Sequence, residues 1–345
     1  CYWGDKQRCT FCAQGGPCGN KMKFKSMEPA NAIKIINSLQ KYKGAVSFLY
    51  STDNIIAPDY PESVFAKITS HIPIHLEMST FNLDRKTLRQ LSHSGVKVTE
   101  AGVESLHTRS LQLMRKGASA SRNITFLMDC HLTDIYVVWN YLLGVPGEDE
   151  QIYESVFQSI RSLVHLFPPD MVMVTFERFS DYHNNPQKYN LKLEPYPFYF
   201  LTYPFNDESI FNLAFDFYNT EKSDYKRALK NWLPKLQIEF ENWKEQWDPI
   251  TKTFPFLYFY KKNNKYFIYD TRNGINEQTE ISEKEFIVLK ALYSPKTKQS
   301  VSEELAFHAD DMIDTLHSKR YLFNDGIRYI TLVFAEKPKI PSFFI

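Results

Sequence analysis

Between residues 26 and 190 two periodicities alternate along the chain. Segments with apolar residues three and four apart, the spacing of one helix face, give way to short runs rich in β-branched and aromatic residues. Ser26 and Pro29 open a helix with Ile33, Ile36 and Leu39 on one face, and Gly44 closes it. Ala45–Tyr50 then reads as a strand, 62–70 as a helix and Ile74–Ser79 as a strand. Arg85–Ser92 is helical with Gly95 as its stop, and Val96–Val103 is the next strand. Two helices cover 107–131, broken at Gly117, before a strand at Tyr136–Leu143. Glu150–Leu166 is an amphipathic helix ended by Pro168-Pro169, and Met171–Phe176 is a fifth strand. Repeated βα units predict an α/β fold with a parallel sheet and with chemistry at the C-terminal strand ends. Those ends are polar or glycine-bearing: Asp53-Asn54, Thr80-Phe81-Asn82, Glu104-Ser105, Gly144-Val145-Pro146-Gly147-Glu148 and Glu177-Arg178.

The pattern breaks at residue 191. Residues 191–255 are rich in aromatics and prolines, with helices predicted near 207–218 and 222–247, and read as a bridge over the sheet. Residues 256–335 form a further unit. A hairpin around Asn263-Asn264 leads to a helix that opens with the capping box Ser282/Glu285; two short helices and a second hairpin at Asn324-Asp325-Gly326 follow. That order is winged-helix-like and α+β. Residues 336–345 are a tail. A winged helix suggests DNA, but its charge balance here weighs against that. From Ser282 to Arg320 acidic residues exceed basic ones by one, and Asp310, Asp311 and Asp314 sit on the last helix, where phosphate contact needs positive charge.

Composition narrows the picture. The 345 residues carry a net charge of +1, so no bulk charge drives binding to nucleic acid or an anionic membrane. At 43% hydrophobic and 23% charged the chain is globular, and no apolar run has the ~18 residues of a spanning helix. There are five cysteines, too few for a disulfide scaffold, and Cys1, Cys9, Cys12 and Cys18 crowd into the first 18 residues. Clustering of that kind in a chain with no secretory signal points to a metal site in a cytoplasmic protein. The sequence opens on Cys1 rather than methionine, which leads us to expect a segment of a longer protein that lacks the first strand of its sheet.

The spacing Cys1-x7-Cys9-Thr10-Phe11-Cys12 offers three thiolates on a loop ahead of a βα domain. Three thiolates hold three irons of a 4Fe–4S cluster and leave the fourth for a small ligand. Phe11 offers a flat apolar face to a purine ring. The alternative is a zinc site with Cys18 as fourth ligand; the βα units favour iron–sulfur, because structural zinc serves mostly domains without a core of their own. Cys130 falls in a helix pattern and reads as a buried small hydrophobe, and His131, His165 and His183 have no ligand spacing.

The Cys1-Tyr2-Trp3-Gly4 and Cys9-Thr10-Phe11-Cys12 segments resemble the cluster loop of radical S-adenosylmethionine enzymes. The longer first gap is similar to that of the subfamily that matures ribosomally synthesised peptides such as bacteriocins. Asp53-Asn54-Ile55-Ile56, Gly102-Val103-Glu104-Ser105, Leu113-Met114-Arg115-Lys116-Gly117, Trp139 to Glu148 and Arg178-Phe179-Ser180 resemble the same subfamily, in order, over roughly residues 1–220. The resemblance implies a partial (β/α)6 TIM-like barrel over residues 1–190, with Cys1, Cys9 and Cys12 on the cluster. It implies reductive cleavage of S-adenosylmethionine to a 5′-deoxyadenosyl radical that takes a hydrogen atom from a substrate carbon. Many members are C-methyltransferases with a cobalamin-binding domain ahead of the cluster loop, so cobalamin is an implied further cofactor whose domain this sequence lacks. Implied partners are a ribosomally made precursor peptide and a reductant such as flavodoxin or ferredoxin. By the same resemblance Asp53 and Asn54 hold the methionine amino group, Glu104 and Ser105 hydrogen-bond the ribose or methionine, Asn140 binds ribose, and Gly144 and Pro146 let backbone approach the adenine. Each has an ordinary alternative: a turn at Asp53-Asn54, a cap at Glu104-Ser105, a core amide at Asn140, a simple βα loop at 144–147. The C-terminal unit resembles the peptide-recognition elements of peptide-maturing enzymes, which add a leader peptide to a sheet edge. Epimerisation or cross-linking of a peptide, and a metal-bearing DNA-binding regulator, are the competing functions.

Overall fold

The computed structural model describes residues 1–14, 24–52, 55–81, 83–251 and 254–341. Helix α1 (Tyr2–Lys6) carries Cys1 at its N-cap, and α2 (Pro29–Leu39) starts with a proline in its first turn. Strands β1 (Leu49–Tyr50), β2 (Ile74–Met78), β3 (Val96–Ala101) and β4 (Tyr136–Val138) pair in parallel in that order. Between them lie α3 (Tyr60–Ser63), α4 (Arg85–Ser94), α5 (Thr108–Leu113) and α6 (Ala120–Leu132). Strand β5 (Asn140–Leu143) continues β4, and after α7 (Glu150–Leu163) it pairs in parallel with β6 (Asp170–Met173). The chain is thus an α/β fold in which the five sequence-predicted strands form an arc. Among the described residues it is open: β1 and β6 lie at the two ends.

Several boundaries differ from the sequence reading, for local reasons. Only Leu49–Tyr50 of the expected strand 45–50 is extended, because Gly44, at φ +84°, turns the chain just before it. The predicted helix 62–70 is one α-turn and one 3-10 turn. Tyr136–Leu143 is interrupted at Trp139, which is buried and donates its indole N–H to Phe167 O at 2.9 Å. That break lets β4 pair with β3 while β5 turns to β6. The fifth strand ends at Met173, and β7 (Phe176–Glu177) joins a different sheet.

That second sheet is antiparallel, ordered β7, β9 (Asp216–Asn219), β8 (Leu193–Pro195). It forms with α8 (Asp181–Asn184), α9 (Pro197–Thr202) and α10 (Asp207–Leu213), so a strand stands where the sequence suggested that the helix would continue to 218. Helix α11 (Asp224–Glu245) then runs against α7. Arg161 holds Glu239 with two hydrogen bonds, at 2.7 and 3.1 Å, and Glu150 accepts from Asn231 and from the Trp232 indole.

The C-terminal part has strands β10 (Leu257–Lys262), β11 (Lys265–Asp270) and β12 (Glu277–Ile281) in an antiparallel sheet, then α12 (Glu283–Ala291), α13 (Lys298–Leu305), α14 (Asp310–Ser318) and the hairpin β13 (Leu322–Asn324)/β14 (Tyr329–Thr331). Both predicted hairpins and the Ser282/Glu285 capping box are present. Strand β12 was not expected, since Glu-Gln-Thr-Glu-Ile shows no apolar alternation. This part shares one buried core with the parallel sheet. Trp139, Phe167, Trp243, Trp247 and Phe334 belong to it, each worth roughly 1.5–3 kcal/mol or more of burial. Arg272, ion-paired with Asp270 at 2.7 Å, also donates to Ser162 O at 2.9 Å across that seam. No described helix is long and apolar enough to cross a membrane.

Gly95 caps α4 at φ +111°, and a Cβ there would lie 2.8 Å from the Ser70 carbonyl oxygen and 2.8 Å from Ser70 Cβ. Gly95→Ala is expected to destabilise by about 2 kcal/mol or more, combining the left-handed backbone penalty with the clash. In urea unfolding this appears as a lower midpoint at unchanged slope.

Candidate cofactor site

The cysteine loop is fixed on two neighbouring segments. Cys12 N–H donates to Cys9 O at 3.4 Å, closing the turn that brings the two cysteines together. Thr10, fully buried between them, donates its N–H to Met114 O at 3.1 Å and accepts from Tyr182 N–H at 3.2 Å. Arg8 donates to Cys12 O at 3.0 and 3.2 Å and also to Phe179 O. Trp3 donates its indole N–H to Arg115 O at 3.1 Å. Its ring lies on Gly117, where a Cβ would fall 2.3 Å from the indole and where φ is +72°; glycine is required there on both counts. Arg115 ties the two supports together through Asp181 at 3.1 Å and Tyr189 at 3.0 Å.

Beneath the loop lies an ion pair that sequence reasoning missed. Lys116 Nζ is 3.0 Å from Glu104 Oε1, and both side chains are about 15% exposed or less. Burial pulls the Lys116 ammonium down, but the Glu104 carboxylate and the Cys9 thiol outweigh it, and its pKa ends above the ordinary value. Lys116 is therefore a permanent cation beside the cysteines. Burial pushes the Cys9 thiol up, while Lys116 acts in the opposite direction and favours the thiolate. Gly102 makes the approach possible, since a Cβ there would lie 2.6 Å from Lys116 Nζ. Glu104 is held at φ +58°, a strained value for glutamate, by a parallel bridge to Tyr141 in which Leu142 N–H donates to Glu104 O at 2.9 Å. The signal for Lys116 was in the sequence, in a motif noted for resemblance but given no role.

A cavity of about 480 Å³ opens beside this pair. Phe11, Cys12, Glu104 and Asn140 line it, with Met173 and Phe215 on the far wall. Four of the predicted site residues thus meet at one place. Asn140 is the first residue of β5 and faces this cavity rather than the core, so its amide is available to a ligand. Cys1 lies elsewhere, on an apolar cavity of about 350 Å³ between α2 and strands β1 and β2.

Other expected residues are not on the 480 Å³ cavity. Ser105 is fully buried; its hydroxyl accepts from His107 N–H at 3.1 Å, a local turn. Gly144 and Pro146 are buried. Gly144 donates its N–H to the Tyr153 hydroxyl at 3.2 Å and is covered by Leu229 and Met173, so the 144–147 loop is braced from behind. The brace is Glu148, which is 2% exposed and accepts from Ser110 Oγ at 2.7 Å, Val145 N–H at 3.0 Å and the Tyr153 hydroxyl at 2.5 Å. Asp53, Asn54 and Cys18 lie outside the described residues. Cys130 is buried, as its helix pattern suggested; His131 and His165 are also buried, and burial lowers the pKa of both.

Cys1, Cys9 and Cys12 are free thiols. Among the described residues no three His, Cys, Asp or Glu side chains converge as a ready metal site. The donor chemistry nevertheless fits a thiolate-ligated cluster. The soft sulfurs exclude calcium and magnesium, and the Lys116 cation sits where thiolate charge accumulates. Residues 6–160 match the Radical SAM superfamily. This stretch is a Radical SAM domain. Its cofactors are a 4Fe–4S cluster and S-adenosylmethionine.

Among curated proteins, an uncharacterised protein of Methanocaldococcus jannaschii is 27% identical over 157 residues, 41% of this chain and 47% of its own length. The chain therefore spans under half of that relative. Among solved structures, the cobalamin-dependent S-adenosylmethionine radical enzyme OxsB is 14% identical with a TM-score of 0.39, over 54% of this chain and 29% of that one. The radical S-adenosylmethionine methyltransferase TsrM from Kitasatospora setae is 13% identical with a TM-score of 0.41, over 51% and 35%. Coproporphyrinogen III oxidase (HemN) from Escherichia coli, a radical SAM enzyme, is 10% identical with a TM-score of 0.38, over 94% and 83%.

Burial raises the Glu148 carboxyl from 4.5 to about 7, against the pull of its hydrogen bonds. Between those values the folded state holds a proton that the unfolded chain has released. This contribution is complete below pH 4.5 and is lost as pH rises through 7. Glu148→Gln is therefore expected to flatten the fall in stability across that window, by on the order of 3 kcal/mol relative to wild type. Parallel urea titrations at each pH check it.

Proposed function

We propose that the Radical SAM domain serves an enzyme that modifies a ribosomally made precursor peptide, by cobalamin-dependent C-methylation of an unactivated carbon, in the cytoplasm. The observation that carries this reading is the single cavity joining Phe11, Cys12, Glu104 and Asn140 at the strand ends, beside the Lys116 cation. Bound there, the cluster and S-adenosylmethionine supply a 5′-deoxyadenosyl radical. The chain's own residues do the rest. Cys9 and Cys12, with Cys1, are the thiolate donors, and Lys116 balances their charge. Phe11 offers its ring face to adenine. Glu104 and Asn140 present a carboxylate and an amide for hydroxyl and amino groups. The Glu148-braced loop and the Trp3 and Thr10 contacts keep these groups in place.

The surroundings favour a peptide substrate. Phe215 on the cavity wall donates its N–H to the Tyr199 hydroxyl at 3.0 Å, and Tyr199 stacks on Phe198 and Tyr203, which stacks on Phe205; Phe198 and Phe205 are 49% and 55% exposed. Exposed apolar surface of that extent marks an interaction site. Strand β12 is the edge of its sheet, a place where an extended leader peptide can add. Helix α14 carries Asp310, Asp311 and Asp314, which opposes a DNA-binding role. A cytosolic reductant of the flavodoxin or ferredoxin type would supply electrons.

The test is anaerobic incubation of the cluster-loaded, full-length protein with S-adenosylmethionine and dithionite. Formation of 5′-deoxyadenosine is expected, lost in Cys9→Ala and Cys12→Ala. With cobalamin and a cognate peptide, the peptide is expected to gain the mass of one methyl group. No 5′-deoxyadenosine and no change in the peptide would overturn the reading. Deoxyadenosine with an epimerised or cross-linked peptide would replace methylation by that reaction.

A further inference from the structure

Of the large apolar side chains exposed among the described residues, the longest run belongs to α9, α10 and the segments that flank them: Phe198, Leu201, Tyr203, Phe205, Phe211 and Phe215. Residues 200–209 are exposed without a break, so no other described part of the chain covers them. The run does not stand apart from the site. The stacked path from Phe205 through Tyr203 to Tyr199, and the Tyr199 hydroxyl bond to Phe215, end at the cavity that Phe11, Glu104 and Asn140 line. Arg178 holds this shelf in place. Its guanidinium donates to the carbonyls of Ala214, at 2.6 Å, and of Phe211, and its backbone N–H donates to Phe215 O at 2.6 Å. The next residue, Phe179, accepts from Arg8 of the cysteine loop. The shelf and the cluster loop therefore share one anchor at residues 178–179.

The charge around the shelf has one sign. Between Lys192 and Lys222 the chain carries Glu194, Asp207, Glu208 and Asp216 and no lysine or arginine. Glu177, on the cavity wall, stands in register with Asp216 across β7 and β9, and like charges directly opposed on a sheet repel. Asp216 accepts from the Tyr199 hydroxyl at 3.3 Å, and Arg178 is turned to the α10 carbonyls. Burial and Asp216 hold the Glu177 carboxyl above its usual range, a cost that a cation beside it would remove. An apolar shelf with an acidic rim repels nucleic acid and an anionic membrane. A symmetric pair of copies would set Asp207 and Glu208 of each α10 against those of the other.

We propose that the shelf selects the sequence of the peptide that reaches the cavity: it covers large apolar side chains, and Glu177 receives a lysine or arginine of the same segment close to the reacting carbon. The proposal rests on the peptide reading above and names the class of sequence accepted, apolar and basic. Burial of the apolar side chains on the shelf supplies affinity. The charge contact at Glu177 fixes the register of the segment, so that one carbon rather than its neighbours is presented to the cavity.

The test is selection from a displayed library of random peptides on the anaerobically reconstituted full-length protein, followed by fluorescence anisotropy with synthetic copies of the enriched sequences. Those sequences are expected to combine large apolar residues with a lysine or arginine a few positions away. Leu201→Ser and Phe205→Ser, both at exposed positions, are each expected to weaken binding of such a peptide by about tenfold. Ile327→Ser, on the β13–β14 turn, is the control and is expected to bind as wild type. Glu177→Gln is expected to cost about tenfold against the basic peptide and nothing against the same peptide with uncharged norleucine at the basic position, a difference that a merely structural role would not produce. Enriched peptides that are acidic, or whose binding ignores all three shelf and cavity variants, would overturn the assignment and leave a peptide substrate in place. Self-association of the wild type that Leu201→Ser abolishes would also overturn it; the shelf would then be an interface between copies. Enrichment of no peptide at all would count against the peptide reading itself, and the assignment would fall with it.

Discussion

The site depends on the docking of a twelve-residue cysteine loop onto one turn, residues 113–117. The loop has a single short helix of its own and no buried apolar side chain within α1. Its order is borrowed. Trp3 reaches the Arg115 carbonyl, Thr10 reaches the Met114 carbonyl, and Gly117 leaves the space that the indole fills. The same turn contributes Lys116, the cation under the cysteines. One five-residue segment therefore positions the sulfur donors and tunes the electrostatics around them. The parallel sheet serves this arrangement by fixing Glu104 at the end of β3 and Asn140 at the start of β5.

The arrangement divides the surroundings of the loop into two faces. On one side Phe11, Glu104 and Asn140 enclose a cavity sized for a small cofactor. On the other, Trp3 backs a cleft lined by arginines. Between them the Glu148 network acts as a buried brace. Its three hydrogen bonds fix the 144–147 loop, and the cost is a carboxyl held neutral well above its ordinary range. The C-terminal part is joined to this body by a continuous core and by the Arg272 bridge, so it is carried rigidly rather than hung on a linker.

Much of this was legible in the sequence. The five parallel strands, the helices between them, both C-terminal hairpins and the capping box follow from periodicity and turn chemistry, because each is decided locally. Strand ends at β1 and β6 were misjudged, since a two-residue strand and a change of sheet are decided by tertiary partners. Strand β12 was invisible because its residues are polar and its pairing is with β11 alone. Phe11, Glu104 and Asn140, each singled out in the sequence, line one cavity. Lys116 and Glu148 were given no role there, because what they face decides it: a lysine on a turn and a glutamate in a loop look like solvated charges until the fold buries them. Ser105, Gly144 and Pro146, assigned to the ligand by resemblance, are buried and do not line that cavity.

The central claim is that the loop's cysteines bind an iron–sulfur cluster. Iron and sulfide analysis of the anaerobically reconstituted full-length protein, beside a variant with Cys1, Cys9 and Cys12 all changed to alanine, tests it most directly. The account expects about four irons and four sulfides per chain in the wild type and neither in the variant. One zinc without sulfide, or full iron retained in the variant, would contradict it.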